Sequence, residues 1–183
     1  MNVLFQVSGS IACYKAAHVV SRLTQAGHDV RCAVSPAALS FVGAATFEGL
    51  SGNAVVSHTF EAGRWMEHIE LPRWADLTLL CPATANRLNK MAAGVADDLL
   101  GNLFLTHDFT KPFLVAPAMN TRMWQHPTTQ ASVRALTAMG LELVSPDSGA
   151  LACREVGDGR LADPDGIVAL VVDRLAALAA ATP

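Results

Sequence analysis

The chain has 183 residues, 51% of them apolar and only 16% charged, with a formal net charge of −3; this length suits one domain around a single core. Ordinary soluble domains carry roughly 25% charged residues, so a lone copy is short of polar cover and the composition predicts a homo-oligomer. The dispersed basic residues exclude an extended nucleic-acid surface, no apolar run approaches the ~20 residues of a membrane span, and the four cysteines lack the CxxC spacing of a zinc site or a disulfide framework.

Residues 1–8 are too short and too uncharged for a signal peptide and read as the start of a first strand, NVLFQVS (2–8), which predicts a cytoplasmic protein. A helix follows over 15–27, with Ala16, Val19, Val20 and Leu23 at helical spacing and Gly27 as its stop. DVRCAVS (29–35) is a second strand, and 37–50 reads as one or two short helices. DLTLLCPA (76–83) is a third strand, followed by a helix over 85–94 that Gly94 closes. KPFLVAPA (111–118) is a fourth strand, then come a helix over 128–140, a last strand over 141–146 and a closing helix over 163–181. Two stretches, 53–75 and 146–162, read as irregular, and loops of that size in a compact domain are often functional. Alternating strands and helices predict a parallel sheet in a doubly wound, three-layer Rossmann-like α/β fold, occupying 1–183 as one domain.

In such a fold ligands bind beyond the carboxyl ends of the strands. SGSIACYK (8–15) follows the first strand there; amides at a helix start, with the Ser8 and Ser10 hydroxyls, suit a phosphate, although a serine in this place is ordinarily just a helix cap. The turn has one glycine, Gly9, where a dinucleotide fold needs GxGxxG. The second strand ends in Ser35-Pro36 instead of an acidic residue for a ribose, so a mononucleotide is the expected cofactor class. APAMNTRMW (116–124) ends the fourth strand with methionines and a tryptophan, which predicts a lined pocket with Asn120 as its polar group; Asn120 could equally cap a helix beginning at Thr121. His68, in EHIELPRWAD, is a candidate base or an ordinary surface histidine. Cys153 lies in the glycine-rich GALACREVGDGR, an odd home for a structural cysteine, since free cysteines are usually buried.

GSIACYK, HIEL, PATAN, AAGVADDLL, PAMNTRMW and PDSGALACREVGDGRL, in this order, resemble the homo-oligomeric flavin-containing cysteine decarboxylases, and the similarity runs over about residues 3 to 170. The glycine-rich loop with Ala-Cys is most similar to the members that serve coenzyme A synthesis. The resemblance implies a flavodoxin-like flavoprotein. Its FMN would sit at a subunit interface of a trimer or dodecamer, contacted by Gly9, Ser10, Ile11, Ser35, Thr84, Ala85, Asn86, Arg87 and Ala118. It implies His68 as catalytic base, Asn120 as the group that holds the substrate, and Cys153 as proton donor on a substrate flap at about 146–162, with no metal. The implied reaction decarboxylates 4'-phosphopantothenoylcysteine to 4'-phosphopantetheine: flavin oxidises the thiol, CO₂ leaves, and the enethiolate is reduced again. Three departures from the family stand out: Arg154 replaces the usual glycine after the cysteine, Arg87 replaces a frequent threonine, and a stand-alone protein without the ligase domain is expected. A peptidyl-cysteine decarboxylase of lanthipeptide type, a flavin prenyltransferase and a non-enzymatic regulatory subunit are the alternatives.

Overall fold

The computed structural model describes residues 1–59 and 65–181. Its sheet is built from β1 (Asn2–Val7), β2 (Asp29–Val34), β3 (Leu77–Ala83), β4 (Phe113–Pro117) and β5 (Glu142–Leu143), all parallel, in the order β2-β1-β3-β4-β5. Side chains alternate across each strand. Val3, Phe5 and Val7, with Leu77, Leu79 and Cys81, face one core, while Leu4 and Leu80 face the other side. Because helices cover both faces, β1 and β3 are almost wholly buried and read as continuous apolar runs.

Helix α1 (Cys13–Gln25) packs on one face with α3 (Ala44–Ser51) and α9 (Pro164–Ala181), and the four-residue α2 (Pro36–Leu39) precedes α3. The opposite face carries α4 (Glu67–Trp74), α5 (Ala85–Ala92), α6 (Leu99–Leu105) and α8 (Pro127–Ala138), with the short α7 (Thr121–Gln125) leading into α8. This is the doubly wound order in which the succession of strands reverses between β1 and β3, so the loops after those strands flank a ready crevice. None of the helices among the described residues is long and apolar enough to cross a membrane.

The expected strands and helices are present, with boundaries shifted by a few residues; β5 keeps only Glu142–Leu143 of the strand expected over 141–146. Helix α4 falls inside the stretch 53–75 that reads as irregular; of that stretch, residues 60–64 lie outside the described residues. Its sequence hides it because Pro72 stands within the helix. A proline cannot donate to the carbonyl four residues back, which here is that of His68; the Thr106 hydroxyl donates to it instead. Lys111 then caps the frayed end, its ammonium reaching the carbonyls of Pro72, Arg73 and Ala75 at 3.2, 2.8 and 2.7 Å. Helix α6 is not among the expected elements; Asp98 caps it by accepting from the Gly101 N–H at 2.9 Å. The glycine is required there, since a Cβ would sit 2.6 Å from the Ala96 Cα.

The stretch 146–162 also has structure. Strands β6 (Asp147–Ala150) and β7 (Val156–Arg160) form an antiparallel hairpin. Glycine and charge fill it and little of it is buried, so no apolar alternation announces it.

One titration is built into the core. His107 is buried against the rings of Phe109 and Phe113, with Nε2 3.1 Å from the Lys111 carbonyl oxygen. Burial is the main cause of its lowered pKa; the Lys111 carbonyl opposes it in part. The unfolded chain therefore binds this proton more readily than the folded one. The stability is intact above the unfolded value of ~6.5 and is lost as pH falls from there through the lowered folded value. Denaturation midpoints measured from pH 7 to 5 should fall in the wild type and fall less in His107→Phe.

Candidate functional site

Beyond the carboxyl ends of β1, β3 and β4 lies an open cleft of about 670 Å³. Its walls are the turn after β1, the start of α5, the β4–α7 turn and the β6–β7 hairpin. A volume of this size suits a small ligand of nucleotide class.

The β1 turn is rigid. Ser8 is nearly buried, its hydroxyl donates to the Pro82 carbonyl at 2.7 Å and accepts from the Thr84 N–H at 3.0 Å. Ser8 thus ties β1 to β3 and is not free to bind a phosphate, contrary to one reading of its hydroxyl. At Gly9 a Cβ would meet that of Ala37 at 2.6 Å, so glycine lets the turn lie against α2. Ser10 accepts from the Ala12 N–H at 3.3 Å. Helix α1 itself starts at Ala12 without a side-chain cap, so the ordinary reading of a serine cap does not apply and the helix start faces the cleft.

Gly9, Ser10, Ile11, Thr84, Ala118, Asn120 and Cys153 all line the cleft. Ser35, Ala85, Asn86, Arg87 and His68 are not among its lining residues. Ser35 caps α2, accepting from the Ala38 N–H at 3.3 Å. Arg87 is 2% exposed, and its guanidinium is committed to the Asp98 carboxylate. His68 lies on α4, and its Nδ1 is buried with no hydrogen-bond partner among the described residues.

Asn120 does both things its sequence allows. Its Oδ1 accepts from the Arg122 N–H at 2.8 Å and caps α7. That bond fixes the amide so that Nδ2 donates to Cys153 Sγ at 3.2 Å and to Glu155 Oε2 at 3.0 Å. Cys153 Sγ in turn lies 3.6 Å from the same Glu155 oxygen. Met119 and Met123 line the cleft beside Asn120, which accounts for methionines at the end of a strand.

The hairpin is held over the cleft by close backbone approaches. The Met119 N–H donates to the Gly159 carbonyl at 2.8 Å and the Thr121 hydroxyl to that of Asp158 at 2.8 Å. Gly159 has φ +108°, and a Cβ there would lie 2.6 Å from the Met119 oxygen. At the tip, the Leu151 N–H donates to the Glu155 carbonyl and the Arg154 N–H to that of Leu151, both at 2.9 Å. Arg154 has φ +66°, alone among the described non-glycine residues in being left-handed.

Glu155, Lys15 and Arg160 were not singled out from sequence. Lys15 and Arg160 bring two cations to the cleft, neither in an ion pair among the described residues. Burial, then Arg160, lowers the Lys15 pKa, and Asp147 and Asp163 oppose this. The Tyr-Lys after SGSIAC was the available signal for Lys15. Glu155 had none, because the turn that sets it beside Cys153 is not visible in the residue pattern.

A family model described as Flavoprotein matches residues 1–176. The chain is 45% identical over 169 residues to the coenzyme A biosynthesis bifunctional protein CoaBC of Mycolicibacterium smegmatis, covering 92% of this chain and 40% of that protein. It thus spans about two fifths of the length of such curated relatives. It is 39% identical over 176 residues to a probable phosphopantothenoylcysteine decarboxylase of Streptococcus mutans, covering 95% of this chain and 98% of the other. Among solved structures, it superposes on a cysteine-to-serine mutant of PPC decarboxylase complexed with pantothenoylaminoethenethiol. That match has a TM-score of 0.84 and 34% identity, covering 93% of this chain and 96% of that one.

Proposed function

The chain belongs to the flavoprotein family, and on that premise we propose that it is an FMN-dependent phosphopantothenoylcysteine decarboxylase of coenzyme A synthesis. It would convert 4'-phosphopantothenoylcysteine to 4'-phosphopantetheine in the cytoplasm. The observation that carries this reading is the meeting of the Asn120 amide and the Cys153 thiol, 3.2 Å apart, at a cleft entered by an uncapped helix start.

The residues present fit FMN. An α1 start without a side-chain cap, the Gly9 approach and the Ser10 hydroxyl suit its phosphate. Thr84 and Ala118 flank the space beyond it, with Ile11 exposed at its edge. Ser35, Ala85, Asn86 and Arg87 support the turns behind that space, Ser35 through α2 and the others through α5. When bound, the flavin supplies a two-electron oxidation of the substrate thiol and later returns those electrons.

The chain's own residues orient the substrate and move protons. Asn120 Nδ2 holds the cysteine carboxylate. Oxidised sulfur beside that carboxylate gives the C–C bonding electrons somewhere to go when CO₂ leaves, which a plain thiol does not. Cys153 then gives the proton of its thiol to the resulting enethiolate carbon. His68 removes the substrate's thiol proton at the start. It lies outside the cleft of its own copy, which supports a cleft completed by a second copy in a homo-oligomer of trimer or dodecamer type.

The test is direct. Purified protein should release FMN on denaturation, and with 4'-phosphopantothenoylcysteine it should form a product lighter by one CO₂. Release of a dinucleotide, or turnover of a peptide ending in cysteine in preference to this substrate, would overturn the reading.

A further inference from the structure

The Asn120 amide has two N–H donors, and both are engaged within the chain: one meets Cys153 Sγ and the other Glu155 Oε2. Its oxygen is engaged too, by the Arg122 N–H, so the amide cannot turn to offer another donor. A substrate carboxylate that binds Asn120, as in the reading above on which this inference rests, must displace one of the two. Glu155 is the group it displaces. Both are carboxylates, they compete for one donor, and two negative charges on one amide repel. Glu155 is exposed and returns to water easily, whereas the thiol carries no charge to be repelled.

We infer that Glu155 is a positioning residue that takes the substrate carboxylate's place on Asn120 and thereby times proton delivery by Cys153. The tip of the hairpin moves as one unit, because the Leu151–Glu155 and Arg154–Leu151 backbone bonds close it into a turn. Residues 153 and 155 flank the left-handed Arg154 in that turn, and both side chains reach Asn120. While the substrate carboxylate is present, Glu155 is driven off and the tip is lifted. When CO₂ leaves, the donor falls vacant, Glu155 returns to it, and the same movement sets Cys153 Sγ against the reacting carbon. The thiol proton forms the new C–H bond, and the thiolate left behind is reprotonated from solvent. Protonation before decarboxylation is thus disfavoured by geometry.

The test uses the flavin-loaded protein and two inert ligands: the substrate with its thiol replaced by methyl, and the same molecule lacking its carboxylate. Calorimetry should show that Glu155→Ala binds the carboxylate ligand about fivefold more tightly than wild type, because the closed tip no longer holds the amide. The ligand without a carboxylate should bind both proteins alike. In turnover, the variant should release CO₂ but yield a larger share of enethiol, the product lacking two hydrogens; Glu155→Asp should restore part of the thiol share. A merely structural glutamate would weaken both ligands equally and leave the product ratio unchanged, and that result overturns the inference. Should Glu155→Ala lose flavin, the isosteric Glu155→Gln must still show the carboxylate-specific gain, and its absence is equally fatal. Wild-type protein that binds neither ligand overturns the decarboxylase reading, and this inference with it; wild-type turnover with normal product from Glu155→Ala overturns this inference alone.

Discussion

Cys153→Ser is expected to release CO₂ from 4'-phosphopantothenoylcysteine and then stop, with a bleached flavin spectrum and an enethiol product. The thiol is exposed, and its hydrogen-bond partners among the described residues are Asn120 and Glu155, so nothing in the core depends on it. Surface changes of this kind usually alter stability by no more than about 0.5 kcal/mol. A serine hydroxyl can still accept from the Asn120 amide, so the hairpin tip should keep its place. What the change removes is acidity, since a hydroxyl gives up its proton far less readily than a thiol. The first half of the reaction does not use that proton and should survive. The second half should slow by the ~10²–10⁴-fold typical of a lost general acid. Mass spectrometry separates the outcomes, the enethiol lacking two hydrogens of the normal product. Saturated thiol formed at the wild-type rate would end the proton-donor assignment. Loss of flavin or of folding would show that the cysteine is structural.

The parts legible in the sequence share one physical cause. Strands buried on both faces read as unbroken apolar runs, and the helices α1, α5 and α8 are amphipathic or closed by glycine, so the layered fold could be read from periodicity. Gly9, Ser10, Asn120 and Cys153 stand out because they lie in turns after strands or in the glycine-rich loop, whereas Ile11, Thr84 and Ala118 are implied by the family resemblance; all seven line the cleft. What escaped was set by tertiary contacts. Helix α4 depends on Thr106 and Lys111, distant in sequence, to serve the carbonyls that Pro72 and the helix end leave open. The β6–β7 hairpin depends on close approach of Gly157 and Gly159 to Thr121 and Met119, not on an apolar face. The Arg154 departure now has a physical meaning. The residue sits in the left-handed region, at a strain of about 1–2 kcal/mol that a glycine there would not carry.

Arg87 shows most clearly how a local motif and the packing around it can point different ways, and it leads to the largest stability effect expected in the molecule. Its side chain is 2% exposed, its guanidinium pairs with Asp98, and Nε and Nη1 find no partner among the described residues. Asp98 is 28% exposed and serves two elements at once. One carboxylate oxygen holds Arg87 on α5, and the other accepts from the Gly101 N–H to start α6. Asp98→Ala would strand a buried cation, which typically costs about 3–5 kcal/mol, far more than the pair itself adds over an apolar replacement. Loss of the helix cap adds ~1 kcal/mol. In a domain of this size each kcal/mol moves the melting temperature by about 2–4 °C, so a fall of roughly 8–24 °C is expected. Asp98→Asn keeps the cap and should fall between the two proteins. The double change Arg87→Met with Asp98→Ser removes the stranded charge and keeps a capping oxygen, and it should recover most of the loss. Calorimetric scans of the four proteins decide the matter. If Asp98→Ala melts within about 3 °C of wild type, Arg87 is solvated or held by other groups, and its side chain is free to serve the cleft as the local motif suggests.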